Sequence, residues 1–246
     1  MSPLEGKRIL VTGAGSGIGR AAARRFRAER AALVLVGRRI EPLRETLADA
    51  EHVALDHTDD AAVAAFATTC GALDGLFLNA GQFIPGTVES SPLADFEQMV
   101  AANLRGPWLM CHHLGPRLRR GASVVITGSN IGIRAIPDTA AYSVAKAAAH
   151  MLARVLAVEW APRGIRANAI ASGPVHTEML AERLRENADP TAALAALSKV
   201  NPLGRLGREE DVAGLAAYLL SDDAAWVTGT VIPCDGGAMA AFGGTT

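Results

Sequence analysis

Seven short runs rich in Val, Ile and Leu ("RILVT", "ALVLV", "HVAL", "GLFLN", "SVVIT", "RANAI" and "TVIP") are separated along the chain by longer, Ala-rich segments of helical character. Each run is close to continuously apolar, which suits a strand covered on both faces. The segments between them read as helices over Gly17 to Ala28, Glu41 to Ala50, Asp59 to Thr69, Pro92 to about Leu118, Thr139 to Trp160 and Glu209 to Leu220. Strand and helix in alternation require right-handed crossovers and a mainly parallel sheet, so the expected fold class is α/β, doubly wound, with helices on both faces. Ligands of such sheets bind beyond the carboxyl ends of the strands, so any chemistry should fall just after a strand. No repeat, low-complexity tract or Pro/Ser-rich linker divides the chain, which predicts a single domain over residues 1–246 with an insertion of short helices at about 177–202.

Half of the 246 residues are hydrophobic, enough for a substantial core. Lys plus Arg number 24 and Asp plus Glu 25, a formal net charge of −1. No global field therefore favours nucleic acid or an anionic membrane. Cys70, Cys111 and Cys234 lie far apart without metal-ligand spacing and read as small buried hydrophobes in a reduced compartment. The start "MSPLEGKRILVTG" lacks the basic flank and long apolar stretch of a secretion signal, and runs such as "AALVLV" are too short to span a bilayer. A soluble cytoplasmic protein is the expectation.

"RILVTGAGSGIGRAAARRF" passes from strand to glycine loop to helix. Gly13, Gly17 and Gly19 permit a tight turn and close approach of backbone to a ligand, and a helix opening at Gly17 points unpaired N–H groups outward. Gly15, Ser16 and Ile18 complete the loop. Such a terminus suits a pyrophosphate, although Ile18 stands where the G-x-G-x-x-G fingerprint has its third glycine. At the end of the second strand Gly37 occupies the place of the acidic residue that commonly binds the ribose 2′-hydroxyl of NAD, and Arg38 and Arg39 follow. A guanidinium there pairs with a 2′-phosphate where a carboxylate would repel it, so NADP(H) is favoured and NAD(H) left open. Asp56, ending the third strand, is placed to accept from an adenine amino group; helix capping accounts for it equally well.

Tyrosine occurs only twice in the chain, and Tyr142 sits among alanines with Lys146 four positions on. Residues four apart share a helix face, so the two could be no more than an amphipathic packing pair. With "VTGAGSGIG", "LNAG", "ITGS" and "YSVAK" laid out in order, however, the chain resembles the short-chain dehydrogenase/reductase family in its compact one-domain form, similar to 3-oxoacyl-carrier-protein reductase-like members. The resemblance runs over essentially the whole length, through "AANLRG", "NAIASGPVHT" and "VTGTVIPCDGG". It implies a Rossmann-type fold, a nicotinamide cofactor, and hydride transfer between that cofactor and a secondary alcohol or ketone.

Carried over position by position, the resemblance implies that Asn103, Ser129, Tyr142 and Lys146 are the catalytic residues. Tyr142 would exchange the proton. Its phenol, with an ordinary pKa of about 10, is a poor base at neutral pH. One positive charge about 6 Å away at an effective dielectric near 20 contributes roughly 3 kcal/mol, or two pKa units of downward shift, which Lys146 is placed to supply. Ser129 would donate to the substrate oxygen; by its own residue type it could equally be a turn cap. Asn103 would hold a helix bend and a water leading toward Lys146, or act as a plain C-cap. Asn79, Ala80 and Gly81 match the motif beside the adenosine, with Leu78 in place of a further Asn. Pro174, Val175 and Thr177 match the segment that binds the carboxamide; Ser172 replaces a usual Pro, which predicts a looser loop.

A cleft lined by Phe83, Ile84, Ile131, Ile133, Ile136, Pro137 and parts of Met179 to Val200 has few charges pointing in, which favours an apolar or aromatic carbonyl substrate. No metal site is expected: adjacent His112 and His113 point apart, and His150 reads as packing, with a subunit contact one option for it. A homotetramer is implied by resemblance, with apolar faces on the helix after Tyr142 and on Glu209 to Leu220 and the tail "DGGAMAAFGGTT" as its support. Two other readings stand beside the oxidoreductase: a dinucleotide-binding sensor of the same fold without turnover, and a nucleotide-sugar isomerase or dehydratase. The intact Tyr142, Lys146 and Ser129 argue against the first, and the glycine spacing and modest length against the second.

Overall fold

The computed structural model describes residues 2–185 and 188–241. Seven parallel strands form one sheet in the order β3-β2-β1-β4-β5-β6-β7. They are β1 (Arg8–Thr12), β2 (Ala32–Gly37), β3 (Glu51–Ala54), β4 (Leu73–Leu78), β5 (Leu118–Thr127), β6 (Arg166–Ser172) and β7 (Val231–Cys234). The helices between them are α1 (Gly17–Ala28), α2 (Ile40–Thr46), α3 (Asp60–Thr69), α4 (Leu93–Val100), α5 (Gly106–Leu114), α6 (Ala140–Glu159), α7 (Glu178–Arg185), α8 (Pro190–Lys199) and α9 (Glu209–Leu220). The order reverses between β1 and β4, the switch point where such sheets open a crevice at their carboxyl ends.

Adjacent side chains on a strand point to opposite faces, and the core divides accordingly. Leu10, Val34, Leu76 and Val124 join Met110, Leu114, Leu152 and Leu156 of α5 and α6 on one side. Their chain neighbours Val11, Leu35, Phe77 and Val125 join Phe26 of α1, Leu43 of α2 and Val212 and Leu219 of α9 on the other. Burial on both faces is why the strands read as continuous apolar runs. Small residues at the α1–α9 contact, among them Ala22, Ala23, Ala213 and Ala216, are fully or almost fully buried.

Two expected helices are shorter. The long segment from Pro92 is broken into α4, a π-helical turn over Ala101–Arg105, α5 and a 3₁₀ turn over Gly115–Arg117, and Leu118 already belongs to β5. Pro107 lacks the N–H that would bond back to Asn103, so the ladder widens just before it. α2 stops at Thr46, not Ala50, where the Thr46 hydroxyl bonds the Pro42 carbonyl of its own helix at 2.8 Å and the Ala14 carbonyl of the glycine loop at 3.0 Å. α7 and α8 occupy the 177–202 segment; Glu186 and Asn187 within it, and Phe242 to Thr246 of the glycine-ended tail, lie outside the described residues. No helix among the described residues is long and apolar enough to cross a membrane.

Candidate active site

The glycine loop starts where β1 ends. Gly13 has φ +67°, and a Cβ on it would lie 3.0 Å from the Ala80 Cα. A Cβ on Gly19 would lie 2.1 Å from the Gly13 carbonyl oxygen, so neither position admits a side chain. Gly15 is held as tightly, since its Cβ would meet Pro42 at 2.8 Å. Ser16 precedes α1 in extended conformation without capping it through its side chain, and the first amides of α1 face the crevice beside Ile18. One of them, Gly17 N–H, donates to Glu178 Oε2 at 3.0 Å, and the same carboxylate pairs with Arg20. Behind the loop, the Thr12 hydroxyl accepts from the Asn79 and Ala80 amides at 3.0 and 3.1 Å, while Asn79 Oδ1 accepts from the Thr127 hydroxyl at 3.1 Å. Asn79 thereby ties β1, β4 and β5 together at the switch point.

Two adjoining clefts flank this loop. The larger, about 360 Å³, is bordered by Gly13, Gly15, Ser16, Gly37, Arg38, Arg39, Asp56, His57, Thr58, Ala80 and Gly81. Arg38 and Arg39 are exposed at the end of β2. Asp56 accepts from the Thr58 amide and hydroxyl at 2.9 and 2.8 Å. Burial raises its pKa, but those bonds, with His57 and Arg38 nearby, outweigh it and hold the carboxyl below its ordinary value. The cap of α3 is Asp59, not Asp56.

The smaller cleft, about 170 Å³, brings Asn79, Gly81, Asn103, Thr127, Tyr142, Lys146, Ser172, Thr177 and Met179 together with the glycine loop. Tyr142 and Lys146 share one face of α6, with Lys146 Nζ 5.5 Å from the phenol ring centroid. Lys146 is almost wholly buried, and its amine donates to the Thr127 carbonyl at 2.7 Å. The expected electrostatics are corrected here. Part of Tyr142 remains open to the cleft, yet burial of the phenol pushes its pKa up to about 12, eased by a hydrogen bond with the Ser129 side chain. Burial also pushes Lys146 down to about 8. Coulomb attraction alone omits the loss of water around both groups, and that loss dominates.

Asn103 sits within the π-helical turn. Its amide donates to the Gln82 carbonyl at 2.9 Å and the Met99 carbonyl at 3.0 Å, and its oxygen accepts from Gln82 N–H at 3.3 Å. A Cβ on Gly81 would strike that oxygen at 2.6 Å and approach Lys146 Nζ to 3.5 Å, so Asn103 and Lys146 crowd the same corner. The helix distortion expected at this residue is therefore present, and the C-cap alternative is not.

On the outer side Phe83 packs edge-on against Tyr142 with centroids 5.0 Å apart. Ile131 lies in the short 3₁₀ turn capped by the Ser129 hydroxyl, and Ile136 and Met179 are about half exposed. One charge stands beside this apolar wall: the Arg183 guanidinium lies 4.4 Å from the Phe83 ring centroid. Val175 is buried and bridges to Gly207, whose amide donates to the Pro174 carbonyl at 3.0 Å; the Thr177 hydroxyl accepts from Leu180 N–H at 3.3 Å. Ser172 does not loosen its loop. It ends β6 buried, with its hydroxyl on the Gly128 carbonyl at 3.4 Å and the next amide, Gly173, on Cys234 at 3.0 Å.

Sequence reasoning missed Glu178 and His57, which line these clefts. His57, half-buried against Gly106, bonds the Ala102 carbonyl at 3.0 Å, and desolvation lowers its pKa. Its position directly after Asp56 was the available signal. His150 packs as expected, and the place is the protein interior behind Ser129. Among the described residues, no group of three or more His, Cys, Asp or Glu is arranged to hold a metal ion.

A parallel sheet with a glycine loop at its switch point and a Tyr–Lys pair beside it defines a nucleotide-binding oxidoreductase architecture. The chain belongs to the short-chain dehydrogenase/reductase family: residues 13–239 match the family model described as Enoyl-(Acyl carrier protein) reductase. It is 39% identical over 252 residues to a levodione reductase of Leifsonia aquatica, covering 95% of this chain and 94% of the relative. It is 36% identical over 249 residues to 3beta-hydroxysteroid dehydrogenase 1 of Eggerthella lenta, again 95% of this chain and 94% of the relative. The crystal structure of levodione reductase superposes with TM-score 0.91 at 38% identity, covering 97% of this chain and all of that one. The protein is accordingly an oxidoreductase acting on CH–OH or carbonyl groups, in a family that uses NAD(P)(H).

Proposed function

We propose that the protein interconverts a secondary alcohol and a ketone with NADP(H), using Tyr142 as the acid and base. The observation that carries the reading is the convergence of Tyr142 and Lys146 in a cleft that continues into the glycine loop, with the Ser129 side chain hydrogen-bonded to the phenol. The dinucleotide fits the residues present: Gly13 and Gly19 let the loop fold tightly against Ala80, Asn79 and its own backbone at the mouth of the crevice, and the amides opening α1 suit a pyrophosphate. Gly13 through Gly19, with Asn79, Ala80 and Gly81, would hold its centre; Asp56 the adenine; Lys146, Pro174, Val175 and Thr177 the nicotinamide end. Arg38 and Arg39 beside Gly37, with no carboxylate at the end of β2, support NADP(H) over NAD(H). When bound, the cofactor gives or takes the hydride.

The chain's own groups do the rest. In reduction, the Ser129 and Tyr142 hydroxyls donate to the carbonyl oxygen and Tyr142 surrenders its proton as negative charge develops there. A phenol held near pKa 12 is protonated at neutral pH, which is the form reduction needs. In oxidation the same oxygen takes the proton back, and Lys146 and Ser129 stabilise the phenolate. Asn103 holds the Gln82 segment beside Lys146.

Phe83, Ile131, Ile136 and Met179 support a substrate with an apolar skeleton, as do relatives named for levodione and a hydroxysteroid. Exposed Val144, Met151, Val155 and Val158 on one side of α6 support a homo-oligomer, for which we propose a tetramer testable by sedimentation. The test of function is a panel of carbonyl compounds (cyclohexane-1,4-dione, a 3-oxosteroid and a 3-oxoacyl thioester) with NADPH and NADH, followed by nicotinamide absorbance. Consumption of NADPH with at least one ketone is expected; no change with any compound and either cofactor refutes the reading.

A further inference from the structure

Ser129 presents its hydroxyl to Tyr142 from the segment just beyond β5, and that segment has an unusual support. The amides around it are satisfied within the segment or by the sheet: Gly128 N–H by the Ile170 carbonyl at 2.8 Å, Gly132 N–H by the Ser129 carbonyl at 3.0 Å, and Ile131 N–H by the Ser129 hydroxyl at 3.4 Å. The buried Ser129 amide donates to a side chain from another element, His150 Nε2 of α6 at 3.3 Å. We propose that His150 is a positioning residue for the reaction, its imidazole accepting the Ser129 amide so that the Ser129 hydroxyl stays aligned with Tyr142. The proposal rests on the functional reading above and adds to it a residue that touches none of the reacting atoms.

Three features of the geometry support it. Tyr142, Lys146 and His150 are spaced by four, so one face of α6 carries the acid, the amine and this ring in succession. Two glycines clear the space the ring occupies: a Cβ on Gly128 would lie 2.1 Å from His150 Nε2, and one on Gly132 would lie 2.9 Å from Cε1. Finally, only a ring nitrogen without hydrogen accepts an amide, so the proton must sit on Nδ1.

The surroundings enforce the neutral form. His150 is 3% exposed, and burial, followed by the charges of Lys146 and Arg154 on its own helix, pushes its pKa down to about 4. Gly128, Ser129, Asn130, Ile131 and Gly132, with Ser172 at the end of β6, include no titratable side chain to draw a proton onto the ring. A misplacement of a hydroxyl by a fraction of an ångström is enough to lower turnover without altering cofactor binding.

The test pairs a direct readout with kinetics on the full-length protein. Nitrogen NMR of ¹⁵N-histidine-labelled protein at pH 7 should show His150 protonated on Nδ1 and bare on Nε2. A proton on Nε2 overturns the proposal whatever the activity. With cyclohexane-1,4-dione and NADPH, His150→Leu should lower kcat about 10-fold or more. His150→Gln, whose amide oxygen reaches the position of Nε2, should stay within about 3-fold of wild type. NADPH affinity should be unchanged in both. In a Ser129→Ala background His150→Leu should cost little further, because the two act as one unit. Wild-type kcat in His150→Leu, or equal losses in the Gln and Leu variants, refutes the inference. Should the leucine variant fail to fold, the glutamine variant and the NMR arm still decide. Absence of turnover by the wild type would count against the proposed function, while the tautomer would still judge His150.

Discussion

Lys146 Nζ stands 5.5 Å from the centroid of the Tyr142 ring and donates at 2.7 Å to the carbonyl of Thr127, the residue before the Gly128–Ser129 turn. The amine is thus anchored to the strand that carries Ser129 and lies under the phenol without pairing to it. Burial leaves the phenol at about 12. Ketone reduction, which uses the protonated phenol and leaves a phenolate beside the Lys146 ammonium, should be nearly flat from pH 6 to 7 and decline through pH 8 as Lys146 loses its charge. Alcohol oxidation, which uses the phenolate, should climb throughout the alkaline range. Tyr142→Phe should retain NADPH binding by calorimetry and lose at least about 100-fold in kcat, the scale of general acid–base catalysis. A plateau in oxidation below pH 8 would contradict this assignment of the tyrosine's proton affinity.

Arg38 and Arg39 project at the end of β2 beside the cleft that Asp56 borders. A charge-assisted pair with a phosphate contributes about 1.5 to 3 kcal/mol. Arg38→Ala with Arg39→Ala should therefore weaken NADPH binding about 10-fold or more and leave NADH binding nearly unchanged. Titration of both coenzymes against wild type and double variant compares them directly; equal losses for the two would mean the arginines do not read a 2′-phosphate.

Glu178 occupies the Gly17 amide at 3.0 Å and is paired with Arg20. Burial raises its pKa, but hydrogen bonds and the Arg20 charge prevail, so the carboxylate is charged where a pyrophosphate would need the same N–H. An anion near a helix N-terminus contributes about 0.3 to 1 kcal/mol, and a second anion has to displace it. Glu178→Ala should tighten NADPH binding by about 2- to 5-fold and remove part of its salt sensitivity, measured by fluorescence titration at two ionic strengths. Weaker binding in that variant would mean that the carboxylate helps rather than competes.

His150 links pH to stability. Its pKa is lowered from the ordinary 6.5 to about 4, so between those values the unfolded chain binds more protons than the folded one. The contribution is fully present above pH 6.5 and is lost as pH falls toward 4. Discounted for solvent screening, it amounts to about 1 to 2 kcal/mol. Melting temperatures should fall more steeply from pH 6.5 to 4.5 in wild type than in His150→Gln; parallel curves would show that the ring is not the group responsible.

Much of this architecture is legible in the residue order because its causes are local. A strand buried on both faces must be apolar throughout, which is why "ALVLV" and the other runs mark the sheet. Gly13 and Gly19 announce the phosphate loop because the turn leaves no room for a Cβ. The four-residue spacing of Tyr142 and Lys146 places both on one face once the helix is known to exist. What only the tertiary structure decided involves partners remote in sequence. Glu178 reaches Gly17 across the crevice, Asn103 finds Gln82 through a π-helical turn, and His150 meets Ser129 where α6 packs on the end of β5. The proton affinity of Tyr142 belongs with these: spacing places a charge nearby, but the water excluded by Phe83 and its neighbours is set by packing, and desolvation outweighs the attraction that the spacing alone implies.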